Sequence, residues 1–265
     1  MSTLDIGLII IGNEILQGFT KDTNSGFLAE RLTKMGHRVQ RISTVRDHVP
    51  DIVRAIRSQL EARYDVVFVC GGLGSTPDDV TLEAVSKALK RPLTISRNAL
   101  AWIRKKVHHL HGKGRLTSKA MSEPHRRMAR IPKGASVLYN KPGAAPGILV
   151  TLGPKGRRRK GQRILILPGV PRELEYIFDE QIAGRVIRPC KDRPFFKEIE
   201  VRTYESQMYK MLLKLFEQDP DICIGSYPQD DKKVVLRVSG RKDKVMATIE
   251  QIKEELARID ETKGQ

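Results

Sequence analysis

The chain is poor in cysteine, in aromatic residues, in long apolar runs and in acid relative to base. Its three cysteines, Cys70, Cys190 and Cys223, lie far apart, and the total is odd. That pattern argues against a disulfide framework or a clustered zinc site and points to a reducing, cytoplasmic setting. Aromatic residues make up 5% of the chain and include one tryptophan. None interleaves with the densest basic run, "KGRRRKGQR" (155–163), so that run carries no stacking platform for single strands. No apolar run approaches the length needed to cross a bilayer. The opening "MSTLDIGLIIIGNE" has no basic n-region and no small-residue cleavage site, and reads as a first strand. There is no G-x-S-x-G elbow and no Walker lysine, which leaves serine hydrolysis and P-loop chemistry without support. The "HHLH" run (108–111) has no carboxylate or cysteine at ligand spacing to complete a metal set.

Acids are outnumbered by bases, giving a net charge of +17 and a pI near 9.9. The bases are spread along the chain, and the run at 155–163 lies between two apolar segments, as a solvated hairpin tip would. In the tail, the only glycines are Gly225, Gly240 and Gly264. None forms the G-X-X-G loop with which a KH module clamps nucleic-acid backbone, so nucleic acid is not the expected partner.

What is present is an alternation of strands and helices in a chain of 265 residues, 40% hydrophobic and 30% charged. "DIGLIII" (5–11) and "DVVFVC" (65–70) are continuous apolar runs, the mark of strands buried on both faces. "TNSGFLAERLTKMG" (23–36) has helical spacing at Phe27, Leu28, Leu32 and Met35, with Gly36 as its stop. With "RVQRISTV" (38–45) as a strand and helices at 49–64 and 77–89, the order is β-α-β-α-β-α, which implies a mostly parallel sheet. A basic helical stretch from Ser96 to Gly134 precedes strands "SVLYN", "GILVTL" and "RILILPG" and a helix over 171–184. "RPCKDRP" (188–194) reads as a linker. It divides a domain of residues 1–187 from a small α+β domain of residues 192–265, in which Met208, Met211 and Leu212 are core candidates. Trp102, with Leu100 and Ile103, reads as packing.

In such sheets ligands sit outside the C-terminal strand ends where the strand order reverses. Two glycine-rich turns fall there, "GNEILQG" (12–18) and "GGLGSTPDD" (71–79), and both carry acid: Glu14, and Asp78 with Asp79. Capping can explain Asp79. Thr76 is a good N-cap, Pro77 suits the first helical position, and Asp79 then completes a capping box. Capping leaves Asp78 and Glu14 unexplained. A glycine loop that invites phosphate beside acids that repel it is consistent with a divalent cation between them.

The motifs "IGNEILQG", "TNSGFLAERL", "GGLGSTPDDVT", "NKPGAAPG" and "LPGVPRELEYIF" resemble, in order and spacing, the amino-terminal domain of the CinA family within the MoaB/Mog molybdopterin-binding superfamily. The tail "GSYP…VVLRVSGR" resembles the KH-like domain that follows it. The resemblance implies a three-layer α/β/α fold with a small KH-like domain. It implies one of two activities: metal-dependent hydrolysis of ADP-ribose or FAD pyrophosphate bonds, or binding of a pterin nucleotide without hydrolysis. It implies magnesium, manganese or cobalt as cofactor, with potassium as a further candidate, and a homodimer as the assembly. Carried over, Glu14, Asp78 and Asp79 would be catalytic, with Asp78 and Asp79 on the metal. Gly12, Asn13, Gly71, Gly72, Gly74, Ser75, Thr76 and Thr81 would meet substrate, as would Gly143, Ala145, Pro146 and Gly147, and Pro168, Gly169, Val170, Pro171 and Glu173. Asn13 stands where the family has aspartate, Ser75 where it has proline, and Met128 where it has glutamine. The deamidase domain of longer members has no counterpart in these residues, so nicotinamide mononucleotide deamidation is not expected.

Overall fold

The computed structural model describes residues 2–114, 117–153, 161–190, 193, 195–229 and 233–261, with side chains to Ala257 in the last helix. The chain forms two compact units, Met1–Cys190 and Lys191–Gln265.

The first unit runs β1 (Asp5–Ile11), α1 (Asn13–Leu16), α2 (Asn24–Lys34), β2 (Arg38–Val45), α3 (Val49–Glu61), β3 (Val66–Cys70), α4 (Thr81–Leu89), β4 (Leu93–Ile95), α5 (Arg97–Gly112), α6 (Glu123–Met128), β5 (Arg130–Pro132), β6 (Ser136–Leu138), β7 (Gly147–Thr151), β8 (Arg163–Leu167) and α7 (Pro171–Ile177), which a π-helical turn extends to Ile182. The main sheet has the order β2-β1-β3-β8-β7-β6. Its first four strands are parallel, and β7 and β6 close the far edge antiparallel. Alternate residues of the central strands feed two cores. Ile9, Val67, Val69, Ile164 and Ile166 pack with Ile52 and Ile56 of α3, Ala84 and Val85 of α4, and Ile103 of α5. Leu8, Ile10, Phe68, Leu165 and Leu167 pack with Leu28 and Leu32 of α2 and with Leu174 and Ile177 of α7. This is the three-layer α/β/α arrangement with a mostly parallel sheet that the sequence implies. Continuous apolar strands are the consequence of helices on both faces.

Three sequence expectations need revision. The helix placed at 77–89 begins at Thr81, because residues 76–79 close on themselves as a separate turn in which the Asp79 amide donates to the Thr76 carbonyl (3.1 Å). The stretch 96–134 is not wholly helical. Arg130–Pro132 pairs antiparallel with Leu93–Ile95 in a small two-stranded sheet, too short to leave a periodic signal. The last helix of the unit loses α-geometry at Phe178. Residues 155–160 of the basic run and residues 191, 192 and 194 of the linker segment lie outside the described residues. Trp102 and Leu100 pack on the core around Ile103, and the Trp102 ring also meets Tyr139 in a tilted contact with centroids 5.1 Å apart.

The second unit comprises β9 (Phe195–Arg202), α8 (Glu205–Gln218), β10 (Cys223–Pro228), β11 (Lys233–Gly240) and α9 (Lys242–Glu261), with an antiparallel sheet β10-β11-β9. Met208, Met211 and Leu215 of α8 and Val245, Ile249 and Ile252 of α9 cover one face of it. Among the described residues, no helix is long and apolar enough to cross a membrane.

A buried histidine ties the first unit's beginning to its end. His37 is 3% exposed. Its Nδ1 accepts from the Leu4 amide (3.3 Å), which places the proton on Nε2, and Nε2 donates to the Arg188 carbonyl (3.0 Å). Burial pushes its pKa down, aided by nearby Arg163 and opposed by Asp65. The unfolded state therefore takes up a proton first on acidification. Stability should fall as pH drops below about 6.5, the ordinary histidine value. Melting temperatures between pH 8 and pH 5 should show this slope, and His37→Asn should flatten it. An unchanged slope in that variant would assign the pH dependence elsewhere.

Candidate active site

The strand order reverses beside β1, whose neighbours are β2 on one side and β3 on the other. Loops leaving the C-terminal ends of these strands meet there, joined by the loop after β8. Close backbone packing makes glycine necessary. Gly71 has φ +112°, and a Cβ on it would collide with the Ile11 carbonyl. Its amide donates to Leu167 O (3.0 Å), and a Cβ at Gly169 would lie 3.3 Å from the Gly71 Cα. Only glycine adopts such φ without strain and leaves room for three backbones at one point.

The glycine loop already holds an anion, and it is Asp79. Asp79 Oδ1 accepts from the Gly74 amide (2.7 Å), and Oδ2 accepts from the Thr76 amide (2.8 Å) and hydroxyl (2.6 Å). The acid at the third position of the turn reaches back to Thr76, as in a capping box, although the helix starts two residues later. Thr81 is fully buried, and its hydroxyl donates to Gly71 O (2.8 Å). Thr81 thus braces the loop from beneath and does not line the cleft that the remaining acids face. Arg127 of α6 donates to the Thr76 carbonyl and, at 3.4 Å, to the Asp79 carbonyl. Ser75 is exposed on the loop's outer side.

The remaining acids face a cleft of about 240 Å³. Glu14 lies over Gly12, where any Cβ would meet its carboxylate. Asp78 is exposed at the rim, its pKa lowered chiefly by the neighbouring Thr76 hydroxyl and further by Arg127. The third acid is Asp47, which the sequence reading missed. Asp47 Oδ2 accepts from the Asn13 amide (2.8 Å). Its pKa is raised, mainly by burial and further by the charges of Glu14 and Asp78. One signal could have found it: it follows β2, the strand that flanks β1 at the reversal. Gly12, Gly71, Gly72, Gly169 and Pro171 also line the cleft, as do Lys21, Asp22, Thr23 and Asn24 before and at the start of α2.

The "PGAAPG" stretch and Glu173 gather elsewhere. Asn140, fully buried, donates to Ala145 O (2.8 Å) and Glu173 Oε2 (2.6 Å), and its Oδ1 accepts from the Gly143 amide (2.9 Å). Burial pushes the Glu173 carboxyl up, opposed by Asn140 and Lys106. Pro146 and Pro168 are buried, and Gly147 lets Ile177 and Leu167 approach to 3.2 Å of its missing Cβ. Val170 points largely to solvent. This knot positions the start of α7, whose Pro171 reaches the cleft, but its residues do not line the cleft.

Among the described residues no three metal-ligating side chains converge on one point. Asp79, with three donors on its two oxygens, is a poor ligand. Glu14, Asp47 and Asp78 offer hard oxygen donors to a shared cleft, and magnesium is commonly held by one or two carboxylates with waters and substrate phosphates. The residues fit an open cation site that a ligand completes.

An acid-rimmed, glycine-walled crevice thus lies at the strand reversal of a doubly wound sheet, the place where ligands of such sheets bind. Residues 7–188 match the family described as "Probable molybdopterin binding domain", and the chain belongs to that family. It is 41% identical to a protein of Pyrococcus abyssi over 68% of both chains, and 33% identical to a protein of Thermococcus kodakarensis over 96% of this chain and 98% of that one. It is also similar to a solved structure, "the protein CinA with unknown function from Thermoplasma acidophilum", at 37% identity and a TM-score of 0.57, covering 67% of this chain and 95% of that one.

Two outcomes follow from the geometry. Asp79→Asn offers an amide where at least one loop donor needs an acceptor, and should cost about 1–2 kcal/mol in urea denaturation. No loss would show that the loop does not need the charge. Asp47→Asn keeps an acceptor for the Asn13 amide and removes a repelled charge. A raised carboxyl pKa means ionisation costs the folded state at neutral pH and costs nothing once the group is protonated in both states, below the unfolded value of about 3.9. Melting temperature should therefore rise at pH 7, with the gain shrinking towards pH 4.

Proposed function

We propose that the cleft binds a phosphate-bearing nucleotide together with a divalent cation and hydrolyses its pyrophosphate bond, with ADP-ribose and FAD as the substrate class. The observation that carries this reading is that Glu14, Asp47 and Asp78, from the loops after three adjacent strands, all line one glycine-walled cleft. Three carboxylates would repel a phosphate unless a cation lies between them. Bound magnesium, manganese or cobalt would polarise the phosphate and acidify a coordinated water.

The chain's own residues supply the rest. Asp78 and Asp47 hold negative charge at the cleft and keep the cation side separate from the glycine wall. Glu14, against the Gly12 backbone, is held by a short helix and can accept a proton from water at the rim. Gly71 and Gly72 admit the ligand close to the backbone, and the amino-terminal end of α7 near Pro171 presents a positive dipole to phosphate oxygens. Asp79 and Thr81 keep this wall in shape and take no part in the chemistry.

The test is a turnover panel of the purified chain with ADP-ribose, FAD, NAD and a molybdopterin precursor, each with magnesium, manganese or cobalt and with chelator. Turnover should require metal. Asp78→Asn and Asp47→Asn should each lower it by at least about a hundredfold, a size typical of removing one electrostatic stabiliser, while the fold survives. Undiminished turnover in chelator or in both variants would sink the reading. Tight binding of the molybdopterin precursor with no turnover of any substrate would replace it with a pterin-nucleotide binding protein.

A further inference from the structure

The cleft has a side that the acids do not explain. Residues Lys21 to Asn24 line it, and α2 begins at Asn24. Asn24 is 7% exposed. Its Nδ2 donates to the Gly169 carbonyl (2.7 Å), which tethers the loop after β8. That bond fixes the orientation of the amide, since only the nitrogen can donate. Asn24 Oδ1 is then a buried acceptor, and it has no hydrogen-bond partner among the described residues. An unpaired buried acceptor carries a real desolvation cost and is uncommon. The first turn of α2 adds a positive dipole end, with Lys21 beside it. The neighbouring acid, Asp22, is engaged locally, its Oδ1 accepting from the Ser25 amide (3.0 Å).

We propose that this corner is a sugar-phosphate subsite, in which Asn24 Oδ1 accepts a hydrogen bond from a ligand hydroxyl while Lys21 and the amino-terminal turn of α2 hold the adjacent phosphate. The inference rests on the reading of the cleft as a nucleotide site and names the part of the ligand that this side takes. The acceptor requires a donor. Lys21 and the helix dipole favour phosphate beside that donor, and a sugar hydroxyl next to phosphate satisfies both features together. A site built to receive a hydroxyl discriminates against ligands that lack one, because the acceptor is then left unpaired.

The test uses two probes on the full chain in the presence of magnesium, ribose 5-phosphate and inorganic phosphate, by calorimetry. Wild type should prefer ribose 5-phosphate. Asn24→Ala should lose about three- to tenfold in affinity for ribose 5-phosphate, the range of one neutral hydrogen bond, and leave inorganic phosphate unchanged. Lys21→Gln should weaken both probes alike. Asn24→Asp keeps an acceptor and loses the donor to Gly169, so the ratio of the two affinities should survive even where both fall; this variant serves if Asn24→Ala does not fold. Equal losses for both probes in Asn24→Ala, or no preference in wild type, would make Asn24 a tether only. The turnover panel stands apart from these ratios. Metal-dependent turnover of ADP-ribose with no sugar preference at Asn24 would reject the subsite and leave the proposed activity standing.

Discussion

The cleft depends on one carboxylate that never faces it freely. Asp79 folds the loop 74–79 around itself by taking the Gly74 and Thr76 donors. A glycine-rich turn of this kind usually leaves its amides for a ligand anion. Here two of them are satisfied within the chain, so the loop is shaped before any ligand arrives. Thr81 fixes the same loop from the core side and Arg127 from the outer side. With the amides occupied and the backbone fixed, the adjacent Asp78 is left at the rim with its charge exposed. The two neighbouring acids thus have opposite tasks, and the division follows from which of them lies within reach of Thr76 and Gly74 together.

Much of this was legible in the sequence, and the reasons differ by element. The central strands could be read because burial on both faces leaves continuous apolar runs, as in "VVFVC". The helix α2 could be read because its core contacts, Leu28 and Leu32, recur at helical spacing and Gly36 stops it with a positive φ. The start of α4 could not, because Pro77 and Asp79 satisfy the local rules for a helix start while Asp79 spends its carboxylate on the loop instead. Asp47 escaped because it carries no motif of its own. It becomes a site residue only when β2 lies next to β1 and the Asn13 amide turns towards it. The resemblance places Gly143 and Glu173 at substrate, whereas in the structure both bond inward to Asn140.

The charge distribution has a consequence for ligand capture. The chain carries a net charge of +17, yet the cleft is lined by Glu14, Asp22, Asp47, Asp78 and Asp79. A broadly positive surface raises the local concentration of anionic ligands, with a strength that falls as salt rises. An acidic cleft inside that field would reject the same ligands unless they arrive with a cation. On the proposed reading, global attraction and local rejection together would select an anion complexed with metal over the free anion, without a closed set of protein metal ligands among the described residues.

The positions at which the chain leaves the CinA-like pattern can be weighed in the same terms. At residue 13 the structural contact is made by the backbone amide, which donates to Asp47, so asparagine in place of aspartate leaves that anchor intact while removing one charge from an already crowded rim. Ser75 is exposed and does not line the cleft, and Asp79 bonds instead to its neighbours on either side, Gly74 and Thr76. Met128 is buried in the core behind the glycine loop, 6% exposed, next to Ala129 and Ile131. A glutamine there would need partners for two polar groups, whereas a thioether packs without them. The change therefore leaves an apolar, packed group at this position. None of the three alters the side chains of Glu14, Asp47 and Asp78, and so the electrostatic demand that the cleft makes on its ligand is set by residues the departures do not touch.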